Sequence, residues 1–541
     1  MTFISAVRGC ALACCFSAVG AFGQQGVSPQ APTGDSTAPG QSQSLGDVAR
    51  RVRKDTTTEI KMTPEDTKKL FESVDKIFAF ASEDSGFPKK ATVKRQLVGP
   101  ADVEKFTRGR LAKEEYTQRF ARAEMTMKKF GLLPRDFNLR EFLVKANGKN
   151  VAGYYDEETK SISLLNWIPL EKQEPILAHE LTHALQDQNF GLKTWMKAGE
   201  EAQQTGDSKK PYEDNNDDSS SARHAVVEGQ AMVVFMDYLL APVHRSVQDT
   251  PGLIYQMEEP AVQATIDSEM MHNAPMILRE AGAFAYREGL IFEGELLAKG
   301  GKKMAFAGGF ARPPRNTHEV IQPQAYIDHE KPAMVAIPDV RQLLSDQYEV
   351  YDSGGMGELD VRALMRQYGG RRVAEELSTS WQGGAYVTFR RTSKAEAAIS
   401  PATGDLALLY VSHWKTEQAA ERFAHFYAGA VSQRYQKVTP QPAETCPANQ
   451  CPLSAGEFLT EEGPVIVEHW SDNTVIVSES FDQATAAKLR SAIRENSADV
   501  HAGTLPHDEL TLRLTDLPDF VGFQVGIGEK ILAEIAKRAS R

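Results

Sequence analysis

The chain has 541 residues, enough for about two to four domains with well-developed cores. Its hydrophobic content of 41% and charged content of 25% are those of an ordinary soluble globular protein. A net charge of −12 argues against a general nucleic-acid binder, which presents a basic face, so no nucleic-acid partner is expected.

Residues 1–23 read as a signal peptide. Arg8 supplies the positive start, Gly9 to Phe22 is a short apolar run, and Ala21 and Gly23 are the small residues that a signal peptidase inspects. This predicts export to the periplasm or the extracellular space. Cys14, after Ala11, Leu12 and Ala13, admits a lipoprotein anchor instead. The apolar stretch continues through Cys15 to Phe22, where an anchored chain turns polar, so release is the favoured reading. Cys10, Cys14 and Cys15 leave with the signal. Cys446 and Cys451 remain, a short-spaced pair that in an exported chain predicts a local disulfide. No other run approaches about 18 unbroken apolar residues, so no transmembrane helix is expected.

Residues 24–60, rich in Gln, Ser, Thr, Pro and Gly, read as a disordered linker. A first domain is expected over 61–353, largely helical with a small mixed sheet. Thr63-Pro64-Glu65 starts a helix that runs amphipathically through Lys68 to Ala81. Ala91 to Leu97 reads as a strand, Ala101 to Lys129 as one or two helices ended at Gly131 to Pro134, and Asn138 to Lys145 as another helix. Val151 to Tyr155 and Ser161 to Leu165 form a hairpin around a polar turn. A helix then spans about Glu174 to Gln188, with Pro175 in its first turn and Asn189-Phe190-Gly191 at its end. Polar, acidic Lys197 to Ser221 reads as a long mobile loop, Ser221 to Leu240 as a strongly apolar helix, and Met270 to Gly300 and Pro332 to Leu344 as further helices.

From about Gly354 the pattern changes. Ala385 to Arg390, Leu406 to Ser412, Pro464 to His469 and Asn473 to Ser478 read as strands, the last two as a hairpin. Thr416 to Tyr435 and Asp482 to Glu495 read as helices. The expectation is a smaller α+β sandwich over 354–500 and a C-terminal strand or helix extension over 501–541. Gly354 to Gly357 lacks a phosphate-loop pattern, so no nucleotide is attached to it. His318 reads as part of a capped helix start, and His413 and His469 as surface residues at strand ends.

The chemistry is carried by His179-Glu180-Leu181-Thr182-His183. On a helix, residues four apart share a face, so both imidazoles can meet one divalent cation. Glu180, turned by about 100°, can reach a water on that cation without ligating it. A catalytic site needs a third protein ligand. The candidates are Glu200, Glu201, Glu213, His224 and Glu228, the first three in a segment with nothing to hold them. Glu228 is a carboxylate in the apolar helix Ala225-Val226-Val227-Glu228-Gly229-Gln230-Ala231, where burial without a partner costs several kcal/mol and a cation would offset it. Gly229 beside it leaves room for close helix packing. The competing readings are a Glu228 paired with Arg223 or Arg287, and His224, one turn earlier, as ligand in its place. The cysteines either leave with the signal or lie far along the chain as the expected pair, which removes the Cys-containing arrangement of peptide deformylases.

With these residues the chain resembles the gluzincin branch of zincin metallopeptidases, in which a Glu on a following helix completes the two histidines. The stretches Gly153 to Asp156, His179 to Gln188, Val227 to Ala231, Phe284 to Tyr286 and Pro313 to Thr317 look like a poorly characterised group of exported bacterial zincins. The resemblance implies Zn2+ held by His179, His183 and Glu228, Glu180 as general base, and Tyr286 as donor to the oxyanion. It departs in two respects: Glu228 lies farther down the chain than in thermolysin-like enzymes, and Met232 stands where those carry an aspartate. The implied activity is an exported zinc endopeptidase acting on protein or peptide substrates. The alternatives are a catalytically inactive zincin-fold binding protein and a zinc hydrolase acting on a non-peptide, cell-wall amide. Oligomeric state is not legible.

Overall fold

A computed structural model describes residues 62–496 apart from 112–113, 143–152, 202–216, 256–271, 332, 334, 336, 339, 345–346, 393–401 and 443–450. The expected signal peptide 1–23, the linker 24–60, the extension 501–541 and Cys446 lie outside these residues. Cys451 is disulfide-bonded.

The protein is α+β, with a helical half carrying a small mixed sheet and a second half built on a larger antiparallel sheet. Helix α1 (Pro64–Ser85) starts as its sequence suggests: the Thr63 hydroxyl accepts from Asp66 N at 3.1 Å and Pro64 occupies the first position. Leu70, Val74, Ile77, Phe78 and Ala81 form its buried stripe. Strand β1 (Lys94–Val98) follows, then α2 (Pro100–Leu111) and α3 (Glu114–Phe130). Strands β2 (Tyr154–Asp156) and β3 (Ser161–Leu165) form the expected hairpin, and β1 joins β3 in parallel on its other side. Central β3 is buried throughout. Residues 143–145 of the helix expected over Asn138 to Lys145 are outside the described set.

Helix α4 (Leu170–Phe190) carries the two histidines. It begins earlier than its sequence suggests, so Pro175 lies inside it and not in its first turn. The helix tolerates this because only one early backbone bond is lost. Gln173 locks the preceding strand to it, accepting from Leu165 N at 3.1 Å and donating to the carbonyls of Leu165 and Ile168 at 2.9 and 2.7 Å. Gly191, at φ 65°, closes the helix in the left-handed region.

The expected loop over Lys197 to Ser221 is partly helical. Helix α5 (Leu192–Glu201) runs into it, and helix α6 (Asp217–Leu240) begins before its end. Leu192 and Met196, four apart, bury one face of α5, a signal hidden beneath its polar residues. Helix α6 is apolar on nearly every side. It is long and apolar enough to cross a membrane by composition, but 78% of that window is buried within the protein, as in a core helix. Helix α7 (Met276–Lys302) crosses it where Gly229 faces Gly289. A Cβ on either would stand inside the contact distance of the opposing backbone carbonyl, Gly289 O or Ala225 O. A π turn, Lys303–Gly308, follows α7. Short helix α8 (Thr317–Ile321) is capped by the Asn316 side chain, which accepts from Glu319 N.

Residues 332–344, expected to be helical, contain among the described residues only the one-turn helix Arg341–Leu344. Pro338 has no amide hydrogen to give a helix and sits at a β-bridge. The second sheet has seven antiparallel strands in the order β4-β5-β6-β10-β9-β8-β7, more than the four read from sequence. They are β4 (Tyr348–Gly355), β5 (Trp381–Arg391), β6 (Leu406–Trp414), β7 (Val438–Gln441), β8 (Ser454–Thr460), β9 (Gly463–Trp470) and β10 (Thr474–Glu479). Helices α9 (Glu358–Leu377) and α10 (Glu417–Arg434) pack on one face of the sheet, α11 (Gln483–Asn496) on the other. The period-2 rule is plain in β6, where Leu408 and Tyr410 face the helical half while Ala407, Leu409 and Val411 face α11. His469 is 2% exposed, a buried residue and not the surface one expected; its position on β9, between β8 and β10, encloses it.

Candidate metal centre

Helix α4 lies against α6, and three side chains meet between them. The ligand atoms of His179, His183 and Glu228 lie within 4.8 Å of one another, the only such group among the described residues. His179 Nε2 is 3.1 Å from Glu228 Oε2 and His183 Nε2 is 3.8 Å from it, while the two ring nitrogens are 3.1 Å apart. All three side chains are buried. Two imidazoles and a carboxylate, buried and converging on one point, fit a divalent cation of the Zn, Co or Ni type.

The electrostatics agree with that fit. Burial draws the His183 imidazole down to about 4, against the upward pull of Glu228, so the ring is neutral at pH 7 and has a lone pair to offer. Burial alone would raise Glu228. The surrounding His183, His179 and His224 outweigh it and hold the carboxyl below its usual range. Neither arginine considered as a partner takes that role. Arg223 lies over the Trp195 ring and donates to Trp195 O at 3.1 Å, and Arg287 pairs with Glu280 and Glu288. His224, one turn before Glu228, has its Nε2 3.3 Å from Glu228 Oε1 and stands beside the cluster. Of the other candidate ligands, Glu200 and Glu201 fall in the last turn of α5 and Glu213 outside the described residues.

Glu180 is fully buried one position after His179, and its Oε2 accepts from Tyr155 N at 3.0 Å. The hairpin that brings Tyr155 there is pinned to α4. Tyr155 Oη donates to Asp187 Oδ2 at 2.8 Å, and Lys160 Nζ reaches the same oxygen at 2.6 Å. Tyr286 arrives from α7 through the glycine crossing; its ring centroid is 6.2 Å from that of His179. Burial, then Glu228 and Glu180, push its phenol well above the usual value, so it keeps a proton to donate. Beside the cluster lies a small pocket, partly open to solvent, whose wall includes Tyr155, His183, Leu192, Met196, His224 and Val227.

Two residues of this region carried no weight in the sequence. Gln186 Oε1 lies 2.9 Å from His183 Nδ1, and Gln186 Nε2 donates to Val227 O and to Gln230 Oε1 at 3.0 and 3.1 Å. The usable signal was spacing, since Gln186 stands three residues after His183 on the same helical face.

Residues 346–490 match the family model described as a domain of unknown function (DUF8575). That segment runs from β4 into α11 and leaves out His179, His183 and Glu228. No curated protein and no solved structure matches the chain.

Proposed function

We propose that the chain is an exported zinc endopeptidase with a zincin-like catalytic half, hydrolysing peptide bonds in protein or peptide substrates. The observation that carries the reading is the buried meeting of His179, His183 and Glu228, with Glu180 adjoining the first ligand. Two imidazoles and one carboxylate are the protein ligands of catalytic zinc centres that keep a fourth position open. Zinc held by these three side chains supplies the Lewis acidity that makes water a nucleophile near neutral pH. Glu180 takes the proton of the attacking water and passes it to the leaving amine. The amide of Tyr155 holds that carboxylate in place. Tyr286, kept protonated, donates to the developing oxyanion. Among the described residues β2 lies at the edge of its sheet, where an extended peptide can add a strand, and Leu192, Met196 and Val227 make the neighbouring pocket a seat for an apolar side chain.

The test uses the mature chain and its Glu180→Gln variant. Elemental analysis is expected to find about one zinc per chain in both. Cleavage of a proteome-derived peptide mixture, followed by mass spectrometry, is expected to fall by about 10²–10⁴-fold in the variant. A parent without stoichiometric metal, or a variant that digests peptides at the parent's rate, overturns the proposal.

A further inference from the structure

The hydrogen bonds behind His183 form a chain whose every direction is settled by chemistry. A backbone carbonyl can only accept. Gln230 Nε2 lies 2.9 and 3.0 Å from the carbonyls of Ala305 and Phe306, so this end of the amide must be the donor and its oxygen must face the other way. That oxygen receives Gln186 Nε2 at 3.1 Å, and Val227 O receives the same NH2 group at 3.0 Å. Gln186 is thereby oriented twice over, by a carbonyl and by an already oriented amide. Its own oxygen is left pointing at His183 Nδ1, 2.9 Å away. An amide oxygen has no proton to give, so Nδ1 must carry one, and in a neutral ring Nε2 is then the bare nitrogen. Nε2 is the atom that faces His179 and Glu228.

We propose that Gln186 and Gln230 are positioning residues that lock His183 in the tautomer and ring orientation required for metal binding, anchored on the π turn Lys303–Gly308. Gln186 and Gln230 are both fully buried, so water does not substitute for either link. The chain joins α4, α6 and the turn after α7, three elements that share no local sequence. π turns concentrate at functional sites, and this one presents the two carbonyls that start the relay. A ligand ring held from behind loses less freedom on binding, and partners of this kind are typically worth about 10–100-fold in metal affinity.

The inference rests on His183 being a metal ligand, and the experiment separates the two ideas. Affinity for Zn2+ is measured on the full mature chain by competition with a chromogenic chelator, for the parent, Gln186→Leu and Gln230→Leu. In metal-free parent chain labelled with 15N-histidine, ring-nitrogen shifts report the tautomer of His183, its signal assigned by loss in His183→Asn. The expected results are Nδ1–H in the parent, a loss of about 10–100-fold in affinity in Gln186→Leu, and a smaller loss of the same sign in Gln230→Leu, which touches no ligand. A parent that binds no Zn2+ overturns the metal centre itself and this inference with it. A parent that binds Zn2+ but carries the His183 proton on Nε2, or a folded Gln186→Leu chain with parental affinity, overturns this inference alone. If Gln186→Leu does not fold, the parental tautomer and Gln230→Leu decide.

Discussion

Replacing the Tyr286 phenol with phenylalanine separates the two things this side chain can do. As a donor to the oxyanion it acts on the transition state, so Tyr286→Phe is expected to keep zinc and KM and to lower kcat by about 100-fold. As a packed ring beside His179 it would leave kcat unchanged, and steady-state assays with a fluorogenic peptide tell the two apart. At this scale the sequence was most readable where charge and spacing coincide. His179, Glu180 and His183 declare themselves because three ionisable residues in a helical apolar run have few other uses. Glu228 was legible for the same reason, an acid in an apolar helix. Gln186 and Gln230 were not, because an uncharged amide in a helix looks like any solvated polar residue until its partners are known.

The meeting of α4, α6 and α7 depends on how closely the last two approach. A methyl group at Gly229 or Gly289 would enter the contact shell of a facing carbonyl, which cannot swing aside as a side-chain tip can. Gly289→Ala is therefore expected to destabilise the folded chain by about 1–3 kcal/mol and to weaken zinc binding, since Glu228 sits on α6 and Gln230 of the same helix is anchored on the turn that follows α7. Thermal denaturation with and without zinc measures both effects, and unchanged midpoints would show that the crossing has slack. Gly229 suggested close packing from sequence, but its counterpart Gly289 did not, because the register between two helices is a tertiary fact. Helix boundaries failed for related reasons. Pro175 looked like a first-turn residue because only tertiary contacts such as those of Gln173 extend α4 upstream. The one-turn face of Leu192 and Met196 was too short to stand out against its polar surroundings.

Across the whole molecule, buried ionic groups tie distant segments together. Glu280 and Glu288 on α7 meet Arg362 and Arg366 on α9, and the arginines outweigh burial and hold Glu280 down to about 2. Lys129 on α3 reaches Glu462 and Ser480 of the second half at 2.9 and 2.7 Å. Asp84, Asp237 and Lys302 join α1, α6 and α7, with Lys302 Nζ 2.6 Å from Asp84 Oδ1 and Asp237 Oδ1 accepting from Val247 N. Burial and then Asp84 push Asp237 up to about 8, and burial raises Asp84 as well despite Lys302. A carboxyl whose folded value lies above its unfolded one binds its proton more tightly when folded, so its contribution is complete below about pH 4 and is lost as pH rises towards 8. Chemical denaturation between pH 5 and 8 is expected to show Asp237→Asn gaining on the parent with rising pH, by on the order of 1–3 kcal/mol. Parallel curves would refute it. None of these long-range pairs was visible in the sequence, where each partner is one charge among many. The strands β5, β6, β9 and β10 were visible, because segments buried on both faces read as short apolar runs rich in β-branched and aromatic residues.

The arrangement of the ligands has a consequence for the life of the protein. Two come from one helix and the third from another, beyond an intervening segment, so an ion held by all three is also a clasp between remote stretches of chain. Metal supply then enters the folding equilibrium as a mass-action factor, worth about 2.7 kcal/mol when free zinc stands a hundredfold above its dissociation constant. Starved copies would open more often and reach housekeeping proteases sooner. Scarcity of the ion would thus thin the population of the protein.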